Sequence, residues 1–88
     1  LYRYGRVYDS WDKHDLAVEY YIKTIELGED LNKYYAANAS LKLGNIYEMQ
    51  GNLRKAESMY RLCKKMNFNE YETSIKQKAK AGLNRINQ

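Results

Sequence analysis

The 88-residue chain has no proline and only one cysteine, one histidine and one phenylalanine. A single cysteine cannot form an internal disulfide or a multi-cysteine zinc site, so a disulfide-stapled scaffold is excluded. No run of about 18 apolar residues occurs, and no membrane-spanning helix is expected. The lack of proline favours long uninterrupted helices, because proline costs about 3 kcal/mol in a helix interior.

What the chain has in abundance is tyrosine, with ten copies beside one tryptophan and one phenylalanine. Hydrophobic residues make up 44% of the sequence, which is enough for one continuous core in a chain of this length. We therefore predict a single domain, residues 1–88, that needs no metal or disulfide to fold.

A segment of the chain repeats after 39 residues. The sequence YGRVY of residues 4–8 aligns with LGNIY of residues 43–47, so that glycine falls on glycine and tyrosine on tyrosine. A further shift of 38 residues places Gly82 on Gly44, but Arg85 then stands where the tyrosine was. Two full units and a partial third are the pattern of a repeat protein.

Apolar residues recur at three- and four-residue steps through each unit, which predicts helices and no strands. Capping and turn residues mark the expected boundaries: Asp12 before and Gly28 after the second helix, Asp30 or Asn32 at the start of the third, Gly51 after it, Asn52 at the start of the fourth, and Asn69 with Glu72 at the start of the fifth. We predict five helices, grouped as a hairpin over residues 1–29, a hairpin over 30–68 and a capping helix over 69–88.

In each unit the glycine is followed by tyrosine after three residues, alanine after 12 and tyrosine after 16. The two sets are Gly5, Tyr8, Ala17 and Tyr21, and Gly44, Tyr47, Ala56 and Tyr60. Small residues at this spacing let the two helices of a hairpin approach closely, so we expect each glycine to meet the face that carries the alanine. Tyr21 and Tyr60 are expected to reach across to the following hairpin.

This pattern resembles the tetratricopeptide repeat, whose motif has Leu-Gly, two residues and Tyr on one helix and Ala-x3-Phe on its partner. The resemblance implies an all-α fold, an α-α superhelix of two helical hairpins with a C-terminal capping helix. The usual repeat has about 34 residues. Here the excess falls between Gly28 and Ala39, which predicts an added helical turn or a longer connection. Because Leu1 already lies in the pattern, we expect a C-terminal part of a larger protein of this family.

The resemblance also implies a non-catalytic role in binding a protein or peptide, through a groove lined by the first helix of each hairpin or through an exposed helical end. The implied groove residues are Tyr2, Arg3, Arg6 and Asp9 from the first helix, Asn38, Leu41, Lys42, Asn45, Glu48 and Met49 from the third, and Lys80 from the fifth. Relatives that clamp a terminal carboxylate carry lysine where this chain has Tyr2 and Leu41, so that clamp is incomplete. Two interpretations of the basic groove residues stay open: a preference for acidic ligands, or solvation of an open surface.

Charge suggests an alternative function. Residues 1–60 carry a net charge of −1 and residues 61–88 a net charge of +5. A basic fifth helix, with Lys76, Lys78, Lys80 and Arg85, could meet nucleic acid or an anionic surface. However, lysines at alternate positions do not share one helix face, and terminal helices of repeat proteins need polar exteriors. Nucleic-acid binding is therefore the weaker hypothesis.

Residues typical of catalysis or metal binding are few. His14 is expected at the surface of the second helix, and Cys63 on the apolar stripe of the fourth helix as an inert buried thiol. Asp9, Asp12 and Asp15 lack the glycine and closing glutamate of a calcium loop. We therefore predict no enzyme activity and no cofactor. Trp11 is expected to pack as a plug in the junction before the second helix, with a ligand anchor as the alternative. The uncovered face of the first hairpin predicts self-association.

Overall fold

The computed structural model describes residues 1–31, 33–66 and 72–87, with side chains described for 1–27, 34–66 and 74–87. Over these ranges the chain forms five α-helices and no strand: α1 (Tyr2–Ser10), α2 (His14–Leu31), α3 (Lys33–Met49), α4 (Leu53–Lys65) and α5 (Glu72–Ile86). The predicted all-α fold is confirmed. Among the described residues, no helix combines the length and the apolar character needed to cross a membrane.

The connection between α3 and α4 agrees with the prediction. Gly51 has a φ of 82°, a left-handed conformation that glycine adopts without steric cost, and it ends α3. Asn52 caps α4, because its side-chain oxygen accepts a hydrogen bond of 3.3 Å from the backbone N–H of Lys55. The cap satisfies one of the backbone donors that a helix start leaves unpaired.

The boundary between α2 and α3 corrects the prediction. α2 continues through Gly28 and Asp30 to Leu31, so Gly28 does not end it and the first hairpin extends beyond residue 29. A glycine in a helix interior costs only about 1 kcal/mol, which the rest of a long helix offsets. Since α2 and α3 have 18 and 17 residues and α4 has 13, the excess of the long repeat lengthens the helices. The caps predicted at Asn32 and Asn69 lie outside the described residues.

The helices pack in sequence order. α1 packs against α2, α2 against α3, α3 against α4, and α5 against both α3 and α4. One core cluster, between α2 and α3, is built on Ala17, Tyr21 and Leu43. The other, between α3, α4 and α5, is built on Ala56, Tyr60 and Leu83. The alanines and tyrosines of the repeat motif therefore form the two layers of the core.

The motif glycines lie against tyrosine rings. A Cβ added at Gly5 would lie 2.6 Å from ring atoms of Tyr21, and one added at Gly44 would lie 2.5 Å from the ring of Tyr60. Each tyrosine stands one turn after the motif alanine and shares its helix face, so each glycine packs against the face that carries the alanine, through the tyrosine ring. The space that glycine leaves is filled by an aromatic ring. Tyr60 also touches Gly82 of α5, which confirms that it reaches into the next unit.

Of two expectations about burial, one is wrong and one is confirmed. Trp11 is 63% exposed and touches only the edge of Tyr8 among aromatic rings, so the prediction of a packing plug is wrong. Asp12, the next residue, has a φ of 59°, so the junction between α1 and α2 contains a left-handed residue. Cys63, in contrast, is fully buried as predicted. Burial raises the pKa of its thiol to about 11.

Candidate protein-binding groove

An open cavity of about 560 Å³ lies between α1 and the start of α3. Its walls come from successive turns of one face of α1 and from a single α3 residue: Leu1, Tyr2, Arg3, Arg6, Val7, Ser10 and Tyr35. The α1 residues recur at steps of three and four, so the cavity follows the helix. Three predicted groove residues, Tyr2, Arg3 and Arg6, are brought together there.

Two tyrosines form the aromatic part of this cavity. The rings of Tyr2 and Tyr35 stack with centroids 5.4 Å apart and an interplanar angle of 24°. Tyr2 also contacts Tyr21 of the core, with ring centroids 5.8 Å apart, so the core supports the ring of Tyr2. Burial raises the pKa of Tyr2 to about 12, against a smaller opposing effect of Arg6. Tyr2 is therefore uncharged at neutral pH.

The sequence prediction missed Tyr35 as a groove residue. It stands in the part of the repeat that exceeds the usual length, and there the family motif offers no equivalent position. The signal that could have found it is its neighbour Tyr34, since two adjacent tyrosines cannot both face the core of one helix. Tyr35 is indeed the more exposed of the two.

The basic residues of the cavity are exposed and unpaired. Among the described residues, neither Arg3 nor Arg6 forms an ion pair or a side-chain hydrogen bond. Two guanidinium groups on successive turns of α1 thus place positive charge beside the apolar tyrosine pair. Such a surface can donate hydrogen bonds to carboxylates and can pack apolar side chains at the same time.

The predicted groove residues of α3 divide into three groups. Asn45 and Met49 are exposed and Asn38 and Lys42 half-buried, and none of the four lines the cavity described above. Leu41 is only 5% exposed and belongs to the α3–α5 core, so its assignment to the groove is wrong. Leu41 is buried because α5 packs over that side of α3.

Glu48 is the last of the predicted groove residues of α3, and its side chain forms contacts within the protein. Its carboxylate accepts two hydrogen bonds from Arg85 of α5, at 2.9 Å from Nε and 3.0 Å from Nη2. The hydroxyl of Tyr60 lies 2.8 Å from Glu48 Oε1 and 2.7 Å from Asn45 Oδ1, and its single proton is donated to one of them at a time. The hydrogen bonds from Arg85 hold the pKa of Glu48 below its usual range. Glu48 therefore fastens α5 to α3.

The first unit has the same arrangement without the arginine. Asp9 stands four residues after Gly5, as Glu48 does after Gly44, and it accepts a hydrogen bond of 3.2 Å from the hydroxyl of Tyr21. Burial, together with the charge of Asp9, raises the pKa of Tyr21. In both units, the tyrosine that fills the glycine gap is oriented by an acidic residue one turn after that glycine.

A second exposed surface lies on the side of α1 away from α3. Tyr20 of α2 stacks on Tyr8, with centroids 5.5 Å apart, and tilts against Tyr4 at the same separation. Tyr4 is 58% exposed, and Trp11 at the end of the row is more exposed still. We call Tyr4, Tyr8, Trp11 and Tyr20 the outer aromatic patch.

Groups suited to chemistry are not brought together in the part of the chain that is described. No cluster of three histidine, cysteine, aspartate or glutamate side chains there could hold a metal ion. His14 and Asp12 lie 3.9 Å apart beside Asp15 at the surface, far in sequence from the buried Cys63.

Comparison with known proteins adds one match. A sequence model of a family described as "Tetratricopeptide repeat" matches residues 1–66, which cover α1 to α4 and leave out α5. No curated protein and no solved structure matches the chain.

Proposed function

The chain belongs to the tetratricopeptide repeat family, and from that premise we propose that it is a non-catalytic module that binds a polypeptide segment in the cavity between α1 and α3. Stacked helical repeats present extended concave surfaces that hold other proteins. The role is one of binding, carried by surface shape and charge.

The observation that carries the proposal is the composition of this cavity. It combines the stacked rings of Tyr2 and Tyr35 with two unpaired guanidinium groups, Arg3 and Arg6. Tyrosine and arginine are the residue types that most often dominate the energy of protein interfaces. A cavity of about 560 Å³ has room for a few side chains of a bound segment.

An array of defined peptides, probed with the labelled protein, tests the proposal. Peptides that bind are measured again with the Tyr35→Ala variant, which removes one ring of the stacked pair. We expect affinity to fall by about ten-fold, the loss typical of one aromatic contact at an interface. Tyr4→Ala is the matched control, since it removes an exposed tyrosine of the outer aromatic patch. Equal loss with both variants, or with neither, would refute binding in this cavity.

The outer aromatic patch supports a second candidate, association through the end of the first hairpin. Tyr4 is 58% exposed, whereas the residue at the same repeat position of α3, Leu43, is 0% exposed. In α3 that position packs against the helix of the preceding hairpin. The corresponding face of α1 has the same apolar character without such a cover, and we propose that it pairs with a second copy of the chain.

A further inference from the structure

The outer aromatic patch has exposed rings that touch in a row. The row runs from Tyr4 through Tyr20 and Tyr8 to Trp11, with neighbouring ring centroids 5.5, 5.5 and 6.2 Å apart. Its two ends, Tyr4 and Trp11, are also its most exposed members. Because the face of an aromatic ring carries partial negative charge, a row of exposed rings is suited to receive a cation.

Acidic side chains lie at the Trp11 end of the patch. Asp12 follows Trp11 in the chain, and its side chain is 90% exposed. Asp15 is exposed as well, in the first turn of α2. Lys13 stands between the two aspartates and offsets one of the two negative charges. This end of the patch therefore keeps one negative charge beside the aromatic rings.

The chain places lysine over tyrosine twice within itself. The ammonium of Lys23 lies 5.4 Å from the ring centroid of Tyr20, and the ammonium of Lys55 lies 5.5 Å from the ring centroid of Tyr47. Tyr20 is thus the one ring of the patch that has a cation over it. Among the described residues, no cation lies over the other three rings of the patch. These three rings are free to receive a cation from outside the chain.

The exposed side of α5 has complementary chemistry. Its residues recur at three- and four-residue steps, on the side away from the buried Ile75, Ala79 and Leu83. We call this surface the α5 outer face, and it consists of Gln77, Lys80, Ala81 and Asn84. No acidic residue follows Glu72 in α5. Within the described ranges, Lys80 forms no ion pair. The face thus presents one free ammonium group among neutral side chains.

The two surfaces lie at opposite ends of the helix stack. α1 packs against α2, whereas α5 packs against α3 and α4. The α5 outer face of a chain therefore cannot reach the outer aromatic patch of the same chain, but that of a second copy can. Two copies joined patch to patch would bring Asp12 and Asp15 of both chains to one contact, where like charges repel. A patch joined to an α5 outer face places a cation against aromatic rings and carboxylates instead.

We propose that the outer aromatic patch of one copy binds the α5 outer face of the next copy, whose Lys80 lies over the exposed rings. This inference rests on the proposed function, because it names the surface of the second copy that pairs with the patch. A contact between two different surfaces leaves one patch and one α5 outer face free on every pair of chains. Association through this contact is therefore open-ended and does not stop at two copies.

The test mixes two variants, each of which damages one of the two surfaces. Trp11→Glu removes the most exposed ring of the patch, and Lys80→Glu reverses the charge of the α5 outer face. Arg54→Glu is the matched control for Lys80→Glu, since Arg54 is exposed on α4 and the change in charge is the same. Light scattering over a concentration series measures the mass of each sample. Unchanged circular dichroism spectra show that the variants are folded.

The mass of the parent is expected to exceed that of two chains and to keep rising with concentration. Lys80→Glu is expected to weaken association about ten-fold, because it loses a cation–π contact and gains a like-charge contact with the aspartates. Trp11→Glu is expected to weaken it at least as much, since an exposed ion pair with Lys80 replaces little of a lost aromatic contact. Arg54→Glu is expected to associate like the parent, and added salt to weaken association.

The equimolar mixture of the two variants gives the sharpest result. The Trp11→Glu chain keeps an intact α5 outer face, and the Lys80→Glu chain keeps an intact patch. At a concentration where each variant alone is a monomer, the mixture is expected to form particles of two chains. Growth is expected to stop there, because the remaining pair of surfaces would place two glutamates against each other.

Other results overturn the inference in distinguishable ways. If Lys80→Glu associates like the parent, or if Arg54→Glu weakens association equally, the α5 outer face is not the partner of the patch. If the mass of the parent stops at two chains, or the mixture stays monomeric, the patches pair with each other and only this inference fails. A strict monomer at high concentration contradicts both kinds of pairing. Peptide binding between α1 and α3 is decided separately by Tyr35→Ala.

Discussion

The ring of Tyr60 in α4 packs directly against the backbone of Gly82 in α5, where an added Cβ would lie 2.5 Å from ring atom Cε2. The other side of the same ring system meets Gly44 of α3 at similarly close range. One tyrosine therefore joins three helices, and both glycines are required by its volume. Four of the predictions below follow from this contact and from the groups around it, and the fifth concerns the outer aromatic patch.

Gly82→Ala is expected to destabilise the protein. The new methyl group would overlap a ring that has no room to move, and overpacking of this kind costs about 1–3 kcal/mol. Removing a glycine from a helix returns about 0.5–1 kcal/mol, so the net effect remains unfavourable. Urea denaturation followed by circular dichroism measures it. Asn84→Ala, at an exposed position of α5, is the control and should have little effect. A Gly82→Ala variant as stable as the parent would disprove the tight contact.

Acid is expected to release the link between Glu48 and Arg85. The hydrogen bonds from Arg85 hold the folded-state pKa of Glu48 below the value of about 4.3 for an unfolded glutamate. The charged carboxylate of Glu48 therefore contributes fully to stability above about pH 4.3. The contribution is lost as the pH falls through the folded-state pKa. Glu48→Gln should therefore destabilise most near neutral pH and converge with the parent in acid.

The control for this acid test is Glu57→Gln. Glu57 pairs with Arg61 on the exposed side of α4, one turn apart, and such pairs contribute little. Denaturation curves over a series of pH values compare the two variants. A constant difference between Glu48→Gln and the parent at all pH values would contradict the prediction.

Alkali is expected to unfold the chain cooperatively. Burial, aided by the hydrogen bond to Glu48, raises the pKa of Tyr60 to about 12, above the value of about 10 for an unfolded tyrosine. This contribution to stability is complete below about pH 10 and is lost as the pH rises towards 12. The ultraviolet absorbance of tyrosinate should show a late step that coincides with loss of helix. Tyr60→Phe should remove part of that step, and independent titration of all ten tyrosines before unfolding would refute it.

Cys63 is expected to be unreactive until the protein unfolds. The side chain is fully buried, and burial raises its pKa to about 11, so little thiolate exists near neutral pH. A thiol reagent that absorbs light on reaction should modify the native protein slowly and the urea-unfolded protein at once. The unfolded protein serves as the control for reagent activity. Rapid reaction under native conditions would show that α4 and α5 separate readily.

Self-association is expected through the outer aromatic patch. Light scattering over a concentration series should show a mass that rises with concentration. Trp11→Glu should return the protein to a monomer, because it places a charge on the most exposed residue of the patch. Leu27→Glu is the control, since Leu27 is 57% exposed on α2 and lies outside the patch. A strict monomer at high concentration would disprove this use of the patch.

Local features of the structure could be read from the sequence. The stop of α3 at Gly51 and the cap of α4 by Asn52 depend on backbone preferences of a few adjacent residues, and both predictions are confirmed. The burial of Cys63 followed from helical periodicity. The end of α2 could not be predicted in this way, because Gly28 is a helix terminator in some contexts and a tolerated interior residue in others.

The candidate site was predictable only in part. Repeat positions grouped Tyr2, Arg3 and Arg6, and all three line the same cavity. They also assigned Leu41 to the groove, although the packing of α5 buries it. Tyr35 was missed because its place in the groove depends on how far α2 and α3 extend, which the motif does not specify.

Taken by itself, the chain determines its helices, its repeat and its family, since periodicity, capping residues and the Gly-Tyr-Ala-Tyr spacing are all patterns within one or two helices. Only the tertiary structure decided that Arg85 would meet Glu48, 37 residues away, and that Tyr2 would stack on Tyr35. Those contacts depend on the distance and angle between separate helices. Helix packing sets both quantities through the fit of many side chains at once, and no short stretch of sequence contains that information.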